Sequence, residues 1–181
     1  MASVGELVAH ARFPLVALHP RHWRGSAFLG DVQRRGDQVL SATFVYVDHA
    51  EETGLGVILA PRAATITDDL VRFIARFDAR AMRKRIRRRR DPFPPKAFAR
   101  SSTVLQVLGI ERTIALLSHT DLPMHLARVA VAEDSDAWVC GWNTSVRDLL
   151  PLLEPLDEAM VRAFEGAGSP VYPPPEWTQE G

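Results

Sequence analysis

From Gln38 to Val47 the chain alternates Val39, Ser41, Thr43, Val45 and Val47 with Leu40, Ala42, Phe44 and Tyr46. So many β-branched and aromatic residues crowd a helix but suit a pleated strand, whose side chains alternate between two faces. The segment Ser26 to Gln33 precedes this strand across Arg34-Arg35-Gly36-Asp37, a polar, glycine-containing connection of hairpin length. A polar stretch, Asp48 to Gly54, leads to a third apolar run, Leu55 to Ala60, which stops at Pro61. The expectation is an antiparallel meander.

Thr67 followed by Asp68 and Asp69 has the composition of a helix start. A hydroxyl can accept from free backbone N–H groups, and carboxylates favour the positive end of the helix dipole. Leu70, Ile74 and Phe77 recur at helical spacing with Val71 and Ala75 beside them, and Ala75, Ala79, Met82 and Ile86 prolong the row. No breaker intervenes before Asp91-Pro92, so the spacing predicts a helix continuing to about Arg90. Prolines at 92, 94 and 95 then impose an extended connector, the candidate boundary between two halves.

Beyond it, Thr103 to Leu108, Glu111 to Ser118, Leu126 to Ala132 and Ala137 to Trp142 read as strands. Gly109, Asp121-Leu122-Pro123 and Glu133 to Asp136 separate them. Thr144 and Ser145 are capping residues ahead of two expected helices, Val146 to Leu153 and Pro155 to Phe164, with Gly166 and Gly168 as stops. The N-terminus offers a short helix over Val4 to Ala11 and an apolar stretch, Phe13 to Leu18, interrupted by Pro14. Strands grouped ahead of helices imply an α+β fold: antiparallel sheet or sheets with a helix following each group of strands. The halves are either a duplicated meander plus helix or two unlike halves sharing one sheet. Residues 1–168 are expected to form one domain, with 91–96 as its candidate subdivision, followed by a proline-rich tail over 169–181.

A chain of 181 residues, 46% of them apolar, can bury a core without disulfides or a structural metal. Its one cysteine, Cys140, excludes an internal disulfide and any multi-cysteine zinc site, and reads as a small buried hydrophobe in a strand. The longest apolar runs fall well short of the roughly 20 residues that cross a bilayer. Met1 to Ala11, which includes Glu6 and His10, lacks the pattern of a secretory leader. A soluble, cytoplasmic protein is expected.

The chain has 22 basic and 22 acidic residues, and that balance conceals a segregation. Between Arg80 and Arg100 lie ten basic residues and one acid, Asp91, so the segment carries +9 and the remainder −9. Arg83, Lys84, Arg85, Arg87, Arg88, Arg89 and Arg90 are the candidate binding residues. Like charges at i,i+4 repel by several tenths of a kcal/mol, and a run of them calls for an answering anion. That anion is an acidic protein surface, nucleic acid phosphate, or an anionic membrane surface touched peripherally. The alternative is that the protein's own anionic body answers the run. Aromatic interleaving is limited to Phe93 and Phe98, so specific base readout is not supported.

Other chemistry is sparsely marked. His19 and His22, His49 beside Asp48, and His119 and His125 flanking Asp121 supply nitrogen and oxygen donors, but not at the spacing of a known zinc motif. A nucleophile elbow and a phosphate-binding loop are both lacking. No cofactor or metal is expected, and catalysis is disfavoured. Trp138 and Trp142 share one face of a strand with Cys140 between them, and core packing is the favoured reading for them, as for Trp23. An aromatic surface for a partner is the alternative. The leading functional expectation is a non-enzymatic cytoplasmic protein that binds another macromolecule through a sheet surface and the basic segment. Electrostatic nucleic-acid binding comes second, and a small enzyme with a histidine-containing pocket third.

Overall fold

The computed structural model describes residues 3–87 and 91–166. Among the described residues four helices, α1 (Val4–His10), α2 (Thr67–Ala75), α3 (Ala79–Arg87) and α4 (Glu158–Gly166), accompany nine strands. These are β1 (Val16–Leu18), β2 (Ser26–Arg35), β3 (Gln38–Asp48), β4 (Thr53–Pro61), β5 (Phe98–Val107), β6 (Ile110–His119), β7 (Met124–Ala132), β8 (Ser135–Trp142) and β9 (Leu153–Pro155). The fold is α+β with antiparallel sheets and helices following groups of strands, as its strand grouping implies.

Seven strands form one sheet in the order β2-β3-β4-β8-β7-β6-β5. The meander β2–β4 and the meander β5–β8 meet where β4 pairs antiparallel with β8, from Gly54 opposite Trp142 to Pro61 opposite Ser135. The two halves therefore share a sheet. Strands β3, β4 and β8 lie at its centre and are buried on both faces, which is why Leu55 to Ala60 is continuously apolar instead of alternating.

Two cores lie on opposite faces. Phe44, Tyr46, Val57 and Val139 face one side, where α1, α4 and the small β1–β9 ribbon cover them with Leu7, Phe164, Leu18 and Leu153. Val45, Val47, Ile58 and Cys140 face the other, against Phe73 and Ile74 of α2 and Met82 of α3. The aromatic rings of α2 and of the turn after it sit almost on the backbone of β4. A Cβ at Gly54 would overlap the edge of the Phe77 ring, and one at Gly56 would lie 2.9 Å from the ring of Phe73. Glycine at both positions is what lets the aromatic layer approach so closely.

Three elements differ from the sequence reading. The helix expected over 67–90 is broken at Arg76–Asp78. Arg76 and Phe77 close α2 with tight-turn bonds to Phe73 and Ile74, and the Asp78 carboxylate accepts from the Ala81 N–H at 2.8 Å, restarting the chain as α3. Thr67 lies inside the first turn of α2, after Ile66 at the cap position, and no side chain caps that helix. The helix expected over Val146 to Leu153 is instead turns and one 3-10 turn (Leu150–Leu152), followed by β9. Pro155, expected in a first helical turn, ends β9 opposite Val16. That position is compatible with proline because the two-stranded ribbon leaves outer N–H positions unused. The tail expected over 169–181 lies outside the described residues. Among those described, no helix is long and apolar enough to cross a membrane.

Candidate functional site

Helix α3 is held by its apolar minority. Met82 is 1% exposed and belongs to the apolar cluster that also holds Met124 and against which Phe93, Phe98 and Leu122 pack, while Ile86, one turn on, is 54% exposed. With so little to bury, the remaining faces of α3 are left to its cations. Arg80, Arg83, Lys84 and Arg87 fall at i, i+3, i+4 and i+7, which on a helix is one face. They line a single cleft of about 380 Å³. Arg80, which the sequence reading counted only in the net charge, is thus a member of the site, and the helical spacing from Arg83, Lys84 and Arg87 is the signal that identifies it.

Arg85 points elsewhere. Its guanidinium donates to the Pro92 carbonyl at 3.4 Å and lies close enough to His119 to oppose protonation of the imidazole. Arg88, Arg89 and Arg90 lie outside the described residues. Among the described residues, no ion pair joins a carboxylate to Arg80, Lys84 or Arg87. Arg76 meets Asp31 at 2.8 Å, and Asp136, 2% exposed, is gripped by Arg128 at 2.6 Å and Arg62 at 3.2 Å.

The tryptophans do not form one surface. Trp142 is 7% exposed and stacks on Phe77, with ring centroids 5.6 Å apart at 13°. Trp138 is half-buried on the same face of β8, with the Arg128 guanidinium 5.1 Å above its ring. Trp23 lies across the sheet against Tyr46, with its Nε1 buried and without a hydrogen-bond partner. Cys140 is fully buried between Trp138 and Trp142, and burial pushes its thiol pKa far up, so the sulfur stays a neutral thiol.

The histidines are dispersed. His19 caps a 3-10 turn by accepting from the Arg21 N–H, and its ring lies 6.3 Å from that of His22. His49 is exposed in the β3–β4 turn, and His125 Nδ1 meets the Ser118 hydroxyl at 3.0 Å. His119, at the end of β6, is 7% exposed, and its Nδ1 accepts from the N–H groups of both Asp121 and Leu122. Among the described residues, no group of three or more His, Cys, Asp or Glu side chains is arranged to hold a metal ion.

Comparison of the chain with protein-family models, with curated proteins and with solved structures gave no match.

Proposed function

We propose that this protein is a non-enzymatic cytoplasmic binding protein that engages an acidic macromolecular partner through the cationic face of α3 and the sheet surface beside it. The observation that carries this reading is the convergence of Arg80, Arg83, Lys84 and Arg87 on one cleft, three of them without a carboxylate partner among the described residues. Within that face, Arg80 with Lys84 and Arg83 with Arg87 are like-charge pairs at i,i+4, each costing a few tenths of a kcal/mol. An anionic partner removes that cost, and desolvation at the contact strengthens the attraction.

One observation favours an acidic protein over nucleic acid. Phe93 and Phe98, the aromatics interleaved with the basic segment, are partly buried and pack against the core on the α2–α3 face, which leaves little of either ring as a platform for base stacking.

The test is affinity capture from native lysate at physiological salt, with and without nuclease, comparing wild type with the Arg80→Ser/Lys84→Ser/Arg87→Ser variant. A protein retained by wild type in both samples and lost by the variant supports the proposal. Retention that vanishes with nuclease transfers the site to nucleic acid, and equal retention by both proteins overturns the role of α3.

A further inference from the structure

The two edges of the sheet are treated differently. Strand β2 is irregular: its register slips between Leu29 and Asp31 and again between Gln33 and Arg34, and it carries Asp31, Arg34 and Arg35. Bulges and charges are how an edge strand is kept from pairing with another chain. Strand β5 has no bulge and a single charge. It pairs with β6 over ten consecutive residues without a slip, from Phe98 opposite His119 to Val107 opposite Ile110, and Arg100 is its one charge.

The hairpin fixes which backbone groups of β5 face outward. Leu108 and Gly109, at φ 54° and 76°, form a two-residue turn of the kind that matches strand twist, so Val107 and Ile110 flank it as a hydrogen-bonded pair. Counting back by twos, Val107, Leu105, Thr103 and Ser101 bond to β6, while the N–H and C=O groups of Gln106, Val104, Ser102 and Arg100 point away from the sheet. The 3-10 turn Leu150–Leu152 packs against β5 through the Leu105 and Val107 face, and no backbone hydrogen bond joins the two. Among the described residues nothing pairs with the outer edge. Val104 is 60% exposed.

Charge defines what fits that edge. From Pro92 to Ile110 the sequence contains no carboxylate, and its charges are Lys96 and Arg100. Arg100 has the same parity as Phe98, which packs into the core under α2 and α3, so its side chain is on the face of the sheet that carries the basic helix. We infer that β5 is a docking strand that takes up an extended acidic segment of a partner protein as an eighth strand, with alternate Asp or Glu side chains beside Arg100 and towards α3. A second copy of the chain is disfavoured as occupant, since it would bring the same carboxylate-free, cationic edge.

This inference rests on the reading of α3 as an acidic-partner site, and its test separates the two. The probes are a blocked peptide alternating Glu and Val, matched in length to β5, and its Lys–Val counterpart. Binding is followed by titration and by hydrogen exchange at the amides of Arg100, Ser102, Val104 and Gln106. The Glu–Val peptide is expected to bind, to slow exchange at those four amides and to leave Leu105 and Thr103 unchanged. The Lys–Val peptide is expected not to bind. Ser102→Pro removes an outward N–H and blocks the edge without removing a bond to β6, and is expected to weaken binding roughly tenfold or more. Thr103→Val, which keeps the ladder and the edge, serves as the folded control and is expected to bind like wild type. Loss of binding in the Arg80/Lys84/Arg87 variant with none in Ser102→Pro would overturn strand addition and leave α3 as the site. Loss in Ser102→Pro with none in the α3 variant would uphold the docking strand and overturn the α3 reading. Dimeric wild type with monomeric Ser102→Pro would overturn the acidic segment in favour of a second copy.

Discussion

At the scale of single residues, His119 shows how a local hydrogen-bond pattern fixes a protonation state. Its Nδ1 accepts from two backbone N–H groups, so the neutral ring must carry its proton on Nε2. Adding a proton at Nδ1 would break both bonds and set a cation in a site that is 7% exposed. Burial, reinforced by Arg85 and partly offset by Asp121, holds the imidazole pKa below its usual 6.5. A histidine with a depressed native pKa contributes stability above 6.5 that is lost as pH falls below it, because the unfolded chain then binds more protons. Urea midpoints measured from about pH 7 down to about pH 5 are expected to decline in wild type. They should decline less in His119→Asn, whose carbonyl can accept the same two bonds without titrating. Tyr46 plays a comparable part in the other core. Its hydroxyl donates to the Leu18 carbonyl at 2.6 Å and accepts from the Leu18 N–H at 2.9 Å, tying β1 to β3. Tyr46→Phe strands two buried backbone groups and is expected to cost about 2 kcal/mol, read as a lowered urea midpoint at unchanged slope. Neither role was legible beforehand. In the sequence His119 is one of several scattered imidazoles, and Tyr46 is one apolar position in an alternating strand; the partners of Tyr46 come from 28 residues away.

At the scale of elements, what was legible followed period and what was missed followed competition. The period-two pattern of β3 and the apolar runs of β4 and β8 were readable because both faces of these strands meet an apolar layer. The α2–α3 break was hidden because the apolar row Ala75, Ala79, Met82, Ile86 continues through it, and only the Asp78 carboxylate, bonded to Ala81, reveals a new start. Its sequence signal, an Asp ahead of Ala79, was outweighed by the row. The Val146 to Leu153 segment has the apolar composition of a helix, but Pro151 interrupts it and Pro155 follows it, and β1 offers the backbone a ladder instead. The seating of α2 on β4 gives an element-scale expectation. In Gly54→Ala the new methyl meets Phe77, whose ring is stacked on Trp142 and has little room to withdraw. A loss of about 1–3 kcal/mol in thermal or urea unfolding is expected, with partial recovery in Gly54→Ala/Phe77→Leu. An unchanged midpoint in Gly54→Ala would show that α2 slides freely on the sheet.

At the scale of the whole molecule, a net charge of zero is made of a cationic segment and an anionic remainder, and the relation between them decides how the basic helix acts. The segregation was legible in the sequence. The arrangement of Arg80, Arg83, Lys84 and Arg87 on one face is carried by their helical spacing, but that this face is an outward one depends on Met82 turning inward. Two electrostatic situations are compatible with the composition, and they have opposite signs in a salt series. If the cationic face is answered by the protein's own acidic groups, attraction stabilises the fold at low salt. Removing Arg80, Lys84 and Arg87 would then destabilise it most there. If the face is held ready for an external anion, the dominant internal contribution is repulsion between helix neighbours about 6 Å apart along the axis, inside the Debye length of about 8 Å at physiological ionic strength. Removing the three cations should then stabilise the protein by several tenths of a kcal/mol at about 0.05 M salt, and the gain should fade towards 1 M, where screening reaches about 3 Å. Subtracting the wild-type series from that of the Arg80→Ser/Lys84→Ser/Arg87→Ser variant cancels the contributions of distant ion pairs such as Arg162–Glu158, which both proteins retain. The absence of a carboxylate beside Arg80, Lys84 and Arg87 among the described residues favours the second sign. A variant more stable than wild type at low salt is therefore the expected result, and one less stable there would return the basic helix to an internal structural role.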